Sequence, residues 1–95
     1  MMEWIKVNNN ISQRDVKIFA LSTCIWCKKT KRLMDDNNIT YKYLDVDLLN
    51  NEDKQEAVSE MKKHINNISF PLIVIDNEIA IKGFQEKELR STLNV

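Results

Sequence analysis

The sequence predicts a single α/β domain in which a mixed β-sheet carries helices on its faces. The 95 residues suffice for one core, apolar strand segments alternate with helical patterns, and two strands are separated only by a two-residue turn signal. The order strand, helix, strand, helix, hairpin, helix indicates a four-stranded sheet with three helices in residues 16–95. Residues 1–15 form an N-terminal extension. Its candidates for an extra edge strand are Trp4, Ile5 and Val7.

The first strand and helix are marked by a change in the spacing of apolar residues. Val16–Ala20 has the composition of a buried strand, and residues 26–37 follow a helical pattern. One face of this helix contains Cys27, Thr30, Leu33 and Met34. Asn37-Asn38 is expected to end the helix, because asparagine tolerates the left-handed conformation of a C-terminal cap.

The second strand and helix have a clearer start signal. Residues 41–46 are predicted as a strand, and Asn50 or Asn51 is expected to cap a helix that continues to about residue 64. The apolar positions of this helix repeat at helical spacing and indicate core packing. They are Ala57, Val58, Met61 and Ile65.

The last part of the chain predicts a hairpin followed by a helix. Leu72–Ile75 and residues 78–81 are short strands joined at Asp76-Asn77, so we expect them to pair antiparallel. The final helix is predicted over residues 85–93. Its core-facing residues lie four positions apart and are Leu89 and Leu93.

The charge balance and the lengths of the apolar runs indicate which partners the protein binds and in which compartment it works. Fourteen basic and fourteen acidic residues leave no net charge, which argues against a nucleic-acid or membrane-binding surface. Residues 1–10 lack a long apolar run, and the longest one elsewhere, Leu72–Ile75, has only strand length. We therefore expect a cytoplasmic protein whose partners are proteins or small thiols. In that compartment a cysteine pair is more often catalytic or metal-binding than structural.

The only two cysteines, Cys24 and Cys27, lie where the first strand gives way to the first helix. A helix places both on one side, so that they can close a small disulfide ring with little backbone movement. Unpaired N–H groups and the positive end of the helix dipole favour an anion here, so we expect Cys24 to be partly ionised and nucleophilic. Cys27 is then the resolving thiol of a redox pair. Ser22 and Thr23 are the expected N-caps.

Basic residues crowd the start of the same helix, where acidic residues are normally favoured. They are Lys28, Lys29, Lys31 and Arg32. A thiolate at Cys24 would offset this mismatch. The alternative is a solvated basic face, balanced by Asp35 and Asp36 further along the helix.

Metal binding and inert packing are the alternatives for the cysteine pair. Zinc within one chain is disfavoured, because a structural zinc site needs four ligands and the only histidine, His64, falls in another predicted helix. A metal ion or iron–sulfur cluster shared between two chains would complete the ligand set. No metal ligand is assigned within the single chain, and His64 is assigned no role.

Three further residues are informative because of where they stand. Gly83, the only glycine, indicates a positive φ, a close backbone approach or a plain turn. Pro71, the only proline, stands at the start of a strand, where a missing N–H is tolerated. Trp26 is expected either to lie exposed beside the sulfurs and contact a partner, or to be half-packed on the helix flank.

These features together resemble the glutaredoxin family over about residues 16–93. The likeness rests on the order of elements and on three segments, Ser22-Thr23-Cys24-Ile25-Trp26-Cys27, Ser69-Phe70-Pro71 and Lys82-Gly83-Phe84. It implies a thioredoxin-like fold in which Pro71 is cis and its loop faces Cys24, the attacking thiol. It also implies that Phe70 offers its backbone N–H and C=O to a bound peptide or glutathione. Together with Trp26, the expected substrate-binding residues are Thr23, Phe70, Pro71, Gly83 and Phe84.

Some positions differ from the family pattern and bear on the electron donor. Ile25 and Trp26 stand where many glutaredoxins carry proline and tyrosine. Glutathione-binding members usually have a basic residue where this chain has Leu21, and a Gly-Gly pair where it reads Lys82-Gly83-Phe84-Gln85. The Gly-Phe pair is more similar to glutaredoxin-like redoxins that take electrons from a reductase protein and pass them to ribonucleotide reductase and similar targets. The overall likeness is to the short glutaredoxin-like proteins of anaerobic microbes.

The leading hypothesis is a monomeric dithiol–disulfide oxidoreductase that serves electron transport and redox homeostasis. Cys24 attacks a disulfide of a protein or small molecule, Cys27 resolves the mixed disulfide, and a reductase partner restores the pair. No cofactor beyond the Cys24–Cys27 disulfide is expected, and glutathione stays open as a cosubstrate. The alternatives are an iron–sulfur or metal-binding protein that uses Cys24 in a dimer, and an interaction domain with inert cysteines.

Overall fold

The computed structural model describes residues 3–8 and 14–95, so residues 1–2 and 9–13 of the predicted extension lie outside the described residues. The strands of the described part are β1 (Ile5–Val7), β2 (Val16–Ala20), β3 (Tyr41–Asp45), β4 (Leu72–Ile75) and β5 (Ile79–Lys82). Its helices are α1 (Ile25–Asp36), α2 (Asn51–Lys62), α3 (Glu86–Leu93) and a short 3₁₀-helix (Val46–Leu48). None of these helices combines the length and apolar character that crossing a bilayer requires.

The strands form one mixed sheet in the order β1-β3-β2-β4-β5. β2 and β3 are parallel, and the other neighbours are antiparallel. The predicted mixed sheet is confirmed, but four strands is wrong for the described chain, because β1 extends the sheet beyond β3 by pairing Val7 with Tyr41. The hypothesis of an edge strand in the extension is thus confirmed for Ile5 and Val7. Trp4 precedes that strand and packs edge-on against Phe19, with ring centroids 5.1 Å apart.

The sheet separates two apolar cores. Along β2, Ile18 belongs to one core and Phe19 to the other, as the two-residue period of a strand requires. The core on the side of α1 and α3 includes Ile18, Cys27, Leu33, Met34, Ile73, Ile75, Leu89 and Leu93. The core on the side of α2 includes Phe19, Leu44, Ala57, Met61, Leu72 and Val74. Helices therefore cover both faces, as predicted.

The helix ends follow the local signals closely. Asn38 follows α1 with a φ of 53°, in the left-handed region expected for its C-terminal cap. Asn50 caps α2, and its Oδ1 accepts a hydrogen bond from the N–H of Asp53 at 2.8 Å. The predicted apolar stripe is buried at three positions, whereas Val58 is only half-buried, since it follows Ala57 directly and so lies about 100° around the helix from it. The buried three are Ala57, Met61 and Ile65.

The predicted hairpin is present, with a loop one residue longer than predicted. Asp76 and Asn77 have φ values of 54° and 57°, as the turn signal requires. Ile75 pairs with Ile79, so Glu78 belongs to the turn and β5 begins one residue later than predicted. The turn is tied to the start of β2, since the N–H of Asp76 donates to the carbonyl of Asp15 at 2.7 Å.

Candidate active site

The candidate nucleophile lies in the cap position of α1. After β2 the chain turns tightly, and the N–H of Cys24 donates to the carbonyl of Leu21 at 3.1 Å. Cys24 keeps an extended backbone and is the N-cap of the helix that begins at Ile25. Its Sγ accepts a hydrogen bond from the N–H of Cys27 at 3.1 Å. The sulfur is thus on one of the N–H groups that a helix leaves unpaired, at the positive end of its dipole.

The prediction that Ser22 and Thr23 cap this helix is wrong. Ser22 donates its N–H and its hydroxyl to the two carboxylate oxygens of Asp47, at 2.9 Å and 2.5 Å, and Thr23 is exposed in the turn. Both residues precede the position from which a side chain reaches the first helical N–H groups. The hydrogen bonds from Ser22 hold the pKa of Asp47 below its usual range. They also tie the turn before the dithiol to the 3₁₀-helix after β3.

The two thiols have different surroundings. Cys24 is partly exposed, whereas Cys27 has no exposed surface. Burial raises the pKa of Cys27 to about 12, and its hydrogen bond with the Cys24 side chain acts in the same direction. A hydrogen bond with the backbone of Leu21 and the charge of Lys31 lower that pKa in part. A partner in solution can therefore reach Cys24 and not Cys27.

The loops before β4 and after β5 are joined by a backbone hydrogen bond. The Phe70–Pro71 peptide bond is cis, as the resemblance implied. Pro71 is buried, and its carbonyl accepts from the N–H of Gly83 at 2.8 Å. Gly83 has a φ of +77°, and no atom lies within 4 Å of the position that a Cβ would occupy. The positive-φ interpretation of Gly83 is therefore confirmed, and close backbone approach is not the reason for this glycine.

Two of the predicted substrate-binding residues form an aromatic pair. The rings of Trp26 and Phe84 are stacked, with centroids 6.1 Å apart and an interplanar angle of 23°. Lys29 places its Nζ 4.5 Å from the centroid of the Trp26 ring. Trp26 still keeps 54% of its surface exposed, so it is both half-packed on Phe84 and exposed to solvent, and its contact with a partner stays a prediction. Cys24 and Phe70 pack with Phe84 against the core under α1.

The basic residues of α1 divide into an exposed group and one partly buried member. The exposed ones are Lys28, Lys29 and Arg32. The Lys31 side chain is only 20% exposed, and its Nζ lies 3.3 Å from Oδ1 of Asp45. The same Nζ lies 3.7 Å from the centroid of the Tyr43 ring. The solvated-face interpretation therefore fits the first group and fails for Lys31.

Sequence reasoning missed Asp45 and Asp47. A signal for them was present, because β2 and β3 are parallel neighbours and Ala20 pairs with Asp45. Carboxyl ends of parallel strands meet at the same edge of a sheet. Asp45, which ends β3, and Asp47, in the 3₁₀-helix after it, therefore lie beside the turn that follows β2.

Metal-ligating side chains do not cluster in the described part of the chain. Across residues 3–8 and 14–95, no three His, Cys, Asp or Glu side chains lie close enough together to hold a metal ion. His64 follows α2 and is half-buried.

Comparison with known proteins gives consistent likenesses. The chain matches the family model for glutaredoxin over residues 16–80. It is 34% identical over 74 residues to an uncharacterized glutaredoxin-like 8.6 kDa protein in the rubredoxin operon of Clostridium pasteurianum, covering 78% of this chain and 91% of that protein. Its structure resembles a glutaredoxin from Methanosarcina mazei, with a TM-score of 0.87 and 39% identity over 97% of this chain and 88% of that one. It also resembles methanoredoxin from Methanosarcina acetivorans, with a TM-score of 0.90 and 38% identity over 95% of each chain. The predicted thioredoxin-like fold is thereby confirmed.

Proposed function

Since the chain belongs to the glutaredoxin family, we propose that it is a dithiol–disulfide oxidoreductase that acts through Cys24 and Cys27. The observation that carries this proposal is the unequal exposure of two thiols at the start of one helix. Cys24 can be reached from solvent, and Cys27 is buried behind it with its N–H on the Cys24 sulfur. This arrangement suits one attacking and one resolving thiol.

The proposed reaction has two sulfur exchanges. The Cys24 thiolate attacks one sulfur of the substrate disulfide, that S–S bond breaks, and the first substrate sulfur leaves and is protonated. Cys27 then loses its proton and attacks Sγ of Cys24, which releases the second substrate thiol and leaves a Cys24–Cys27 disulfide. The substrate gains two electrons and the protein loses two. An external dithiol or reductase must supply electrons for the next cycle.

Protein disulfides are the substrates that the surface favours. Besides Trp26, several apolar side chains are exposed on the segments around Cys24. Exposed apolar side chains do not stabilise an isolated monomer, so their grouping indicates a surface for a partner. Ile25 is 66% exposed on the first turn of α1, and Leu48 is 70% exposed in the 3₁₀-helix, next to the Asp47 that contacts Ser22. Ile68, two residues before Phe70, is 37% exposed. A substrate segment would cover these side chains while it presents its disulfide.

For the electron donor we propose a reductase protein rather than glutathione. Leu21, where glutathione-binding members usually have a basic residue, packs against the core under α2. Phe84, next to Gly83, stacks on Trp26. Parallel assays with glutathione and its reductase, thioredoxin reductase and a ferredoxin-linked reductase would identify the donor. Faster re-reduction by glutathione than by either reductase system would contradict this part of the proposal.

We further propose that the protein works in the cytoplasm as a monomer and needs no cofactor beyond its own cysteine pair. A reducing compartment keeps such a pair in the dithiol form that the reaction consumes.

Substitution of each cysteine tests the division of roles. Cys24→Ser should abolish reduction of a protein disulfide, because it removes the attacking sulfur. Cys27→Ser should complete the first exchange and then accumulate a mixed disulfide, which mass spectrometry detects as a covalent adduct. Full activity of Cys24→Ser would refute the assignment, and so would rapid turnover without an adduct in Cys27→Ser. Anaerobic purification with metal analysis is the accompanying control, since a bound cluster would favour a metal-binding function instead.

A further inference from the structure

Lys31 is the one member of the basic cluster on α1 that is drawn toward the protein interior. Asp45, whose side chain is only 17% exposed, lies 3.3 Å from its Nζ, and the Tyr43 ring lies 3.7 Å from it. Lys31 follows Cys27 by four residues, so the two side chains share a face of α1 one turn apart. Its neighbours Lys28 and Lys29 are exposed residues. A cation held against β3 has lost part of its hydration, and the Asp45 carboxylate offsets that loss.

The second sulfur exchange requires that Cys27, the buried thiol, become a thiolate. Cys27 has no exposed surface, and burial raises its pKa to about 12. In the second exchange Cys24 is already bonded to the substrate, but burial still keeps only a small fraction of Cys27 ionised near pH 7. A positive charge nearby would increase this fraction, and the charge of Lys31 acts on Cys27 in that direction.

We propose that Lys31 is a positioning residue for the second exchange, whose ammonium group, held by Asp45 and Tyr43, stabilises the Cys27 thiolate as it forms. This inference rests on the proposed function of the dithiol. Lys31 forms no bond and accepts no proton in the step. The Cys27 proton passes to solvent, the Cys27 sulfur bonds to Sγ of Cys24, and the departing substrate thiolate takes up a proton. The two electrons pass from the cysteine pair to the substrate, and Lys31 neither gains nor loses any.

Among the described groups that act on the Cys27 thiol, Lys31 alone carries a positive charge. The groups that act on the Cys27 thiol are the Cys24 side chain, the Leu21 backbone and Lys31. Tyr41, on β3, shares the same core, and burial raises its pKa above the usual range, so it stays neutral. The other elements of this core contribute apolar side chains, among them Ala20 from β2, Ile73 from β4 and Leu89 from α3. Among these described groups, Lys31 is the one cation.

A single-turnover experiment separates the two exchanges. Wild type, Lys31→Met, Lys31→Arg and the control Arg32→Met, which removes an exposed charge from the same helix, are each reduced, freed of reductant and mixed with a protein disulfide. The two substrate thiols are then counted over time. We expect Lys31→Met to release the first thiol at the wild-type rate and the second roughly threefold more slowly at about pH 7. The effect is modest because Lys31 is the smallest of the influences on the Cys27 pKa, and a full unit of pKa changes the thiolate fraction tenfold. Raising the pH should narrow this gap. Lys31→Arg should restore the rate, and Arg32→Met should match wild type.

Direct titration provides a readout that does not depend on turnover. In a Cys24→Ser background, thiolate absorbance should show a higher pKa for Cys27 with Lys31→Met than with Lys31 intact. A wild-type second step in Lys31→Met, an unchanged Cys27 titration, or a slow step that Lys31→Arg does not relieve would each overturn the inference. A wild-type protein that releases no thiol at all contradicts the proposed function itself, whereas a normal first exchange with an unaffected second contradicts only the role of Lys31.

Discussion

Selective alkylation would test the inequality of the two thiols that the proposed reaction depends on. In the reduced protein, iodoacetamide should modify Cys24 and leave Cys27 unmodified. Burial and the contact with Cys24 raise the pKa of Cys27 from 9.0 to about 12. Each unit changes the thiolate fraction tenfold, so ionisation alone should slow the alkylation of Cys27 about 1000-fold near neutral pH. The lack of exposed surface at Cys27 adds steric protection to this factor.

Peptide mapping after timed alkylation measures this difference. Cleavage after Lys17 and Lys28 places both cysteines on one peptide, residues 18–28, so fragmentation of that peptide must assign the label. The same protein unfolded in denaturant is the control, and there both cysteines should react at similar rates. In Cys24→Ser, Cys27 should stay protected, because burial is the larger cause of its raised pKa. Equal labelling of the two cysteines in the folded protein would refute burial as the basis of their different roles.

Two further predictions concern the loops that frame the sheet. The N–H of Asp15 and the side chain of Arg14 hold the pKa of Asp76 below its usual range. The ionised Asp76 therefore stabilises the fold at pH values above its pKa in the unfolded chain, and this stabilisation is lost as the pH falls through its pKa in the folded protein. Asp76→Asn removes the charge but keeps a side chain that tolerates positive φ. Urea unfolding should show this variant to be less stable than wild type near neutral pH and equally stable in strong acid. The same difference in unfolding free energy at all pH values would contradict this. Gly83→Ala should lower the free energy of unfolding by about 1–2 kcal/mol, since its φ of +77° strains an L-residue but a Cβ meets no atom within 4 Å. Denaturant unfolding measures this, and a loss several times larger would indicate a clash that the structure lacks.

Features that depend on neighbours along the chain could be predicted well. Asn50 caps α2 because its side chain reaches a backbone N–H only three residues on. Asp76 and Asn77 adopt the positive φ values that their residue types allow. The spacing of Ala57 and Met61 places both on the buried side of α2, since helical periodicity alone decides that face.

Features that depend on distant segments or on unusual chemistry could not be predicted. The pairing of Val7 with Tyr41 and the stacking of Trp26 on Phe84 join segments whose approach only the folded chain defines. Cys24 caps α1 although cysteine is not a favoured cap residue, so propensity pointed to the hydroxyl side chains before it.

The hydrogen bond from the N–H of Cys27 to the Cys24 sulfur couples the backbone conformation at the start of α1 to the redox state of the cysteine pair. A sulfur that carries negative charge accepts such a hydrogen bond more strongly than a disulfide sulfur does, so this bond favours the reduced state of the pair whenever Cys24 is ionised. Reciprocity then requires that anything which strengthens this hydrogen bond stabilises the dithiol relative to the disulfide and makes the couple more oxidising. A docked protein that clamps the turn would thereby change the midpoint potential without touching either sulfur.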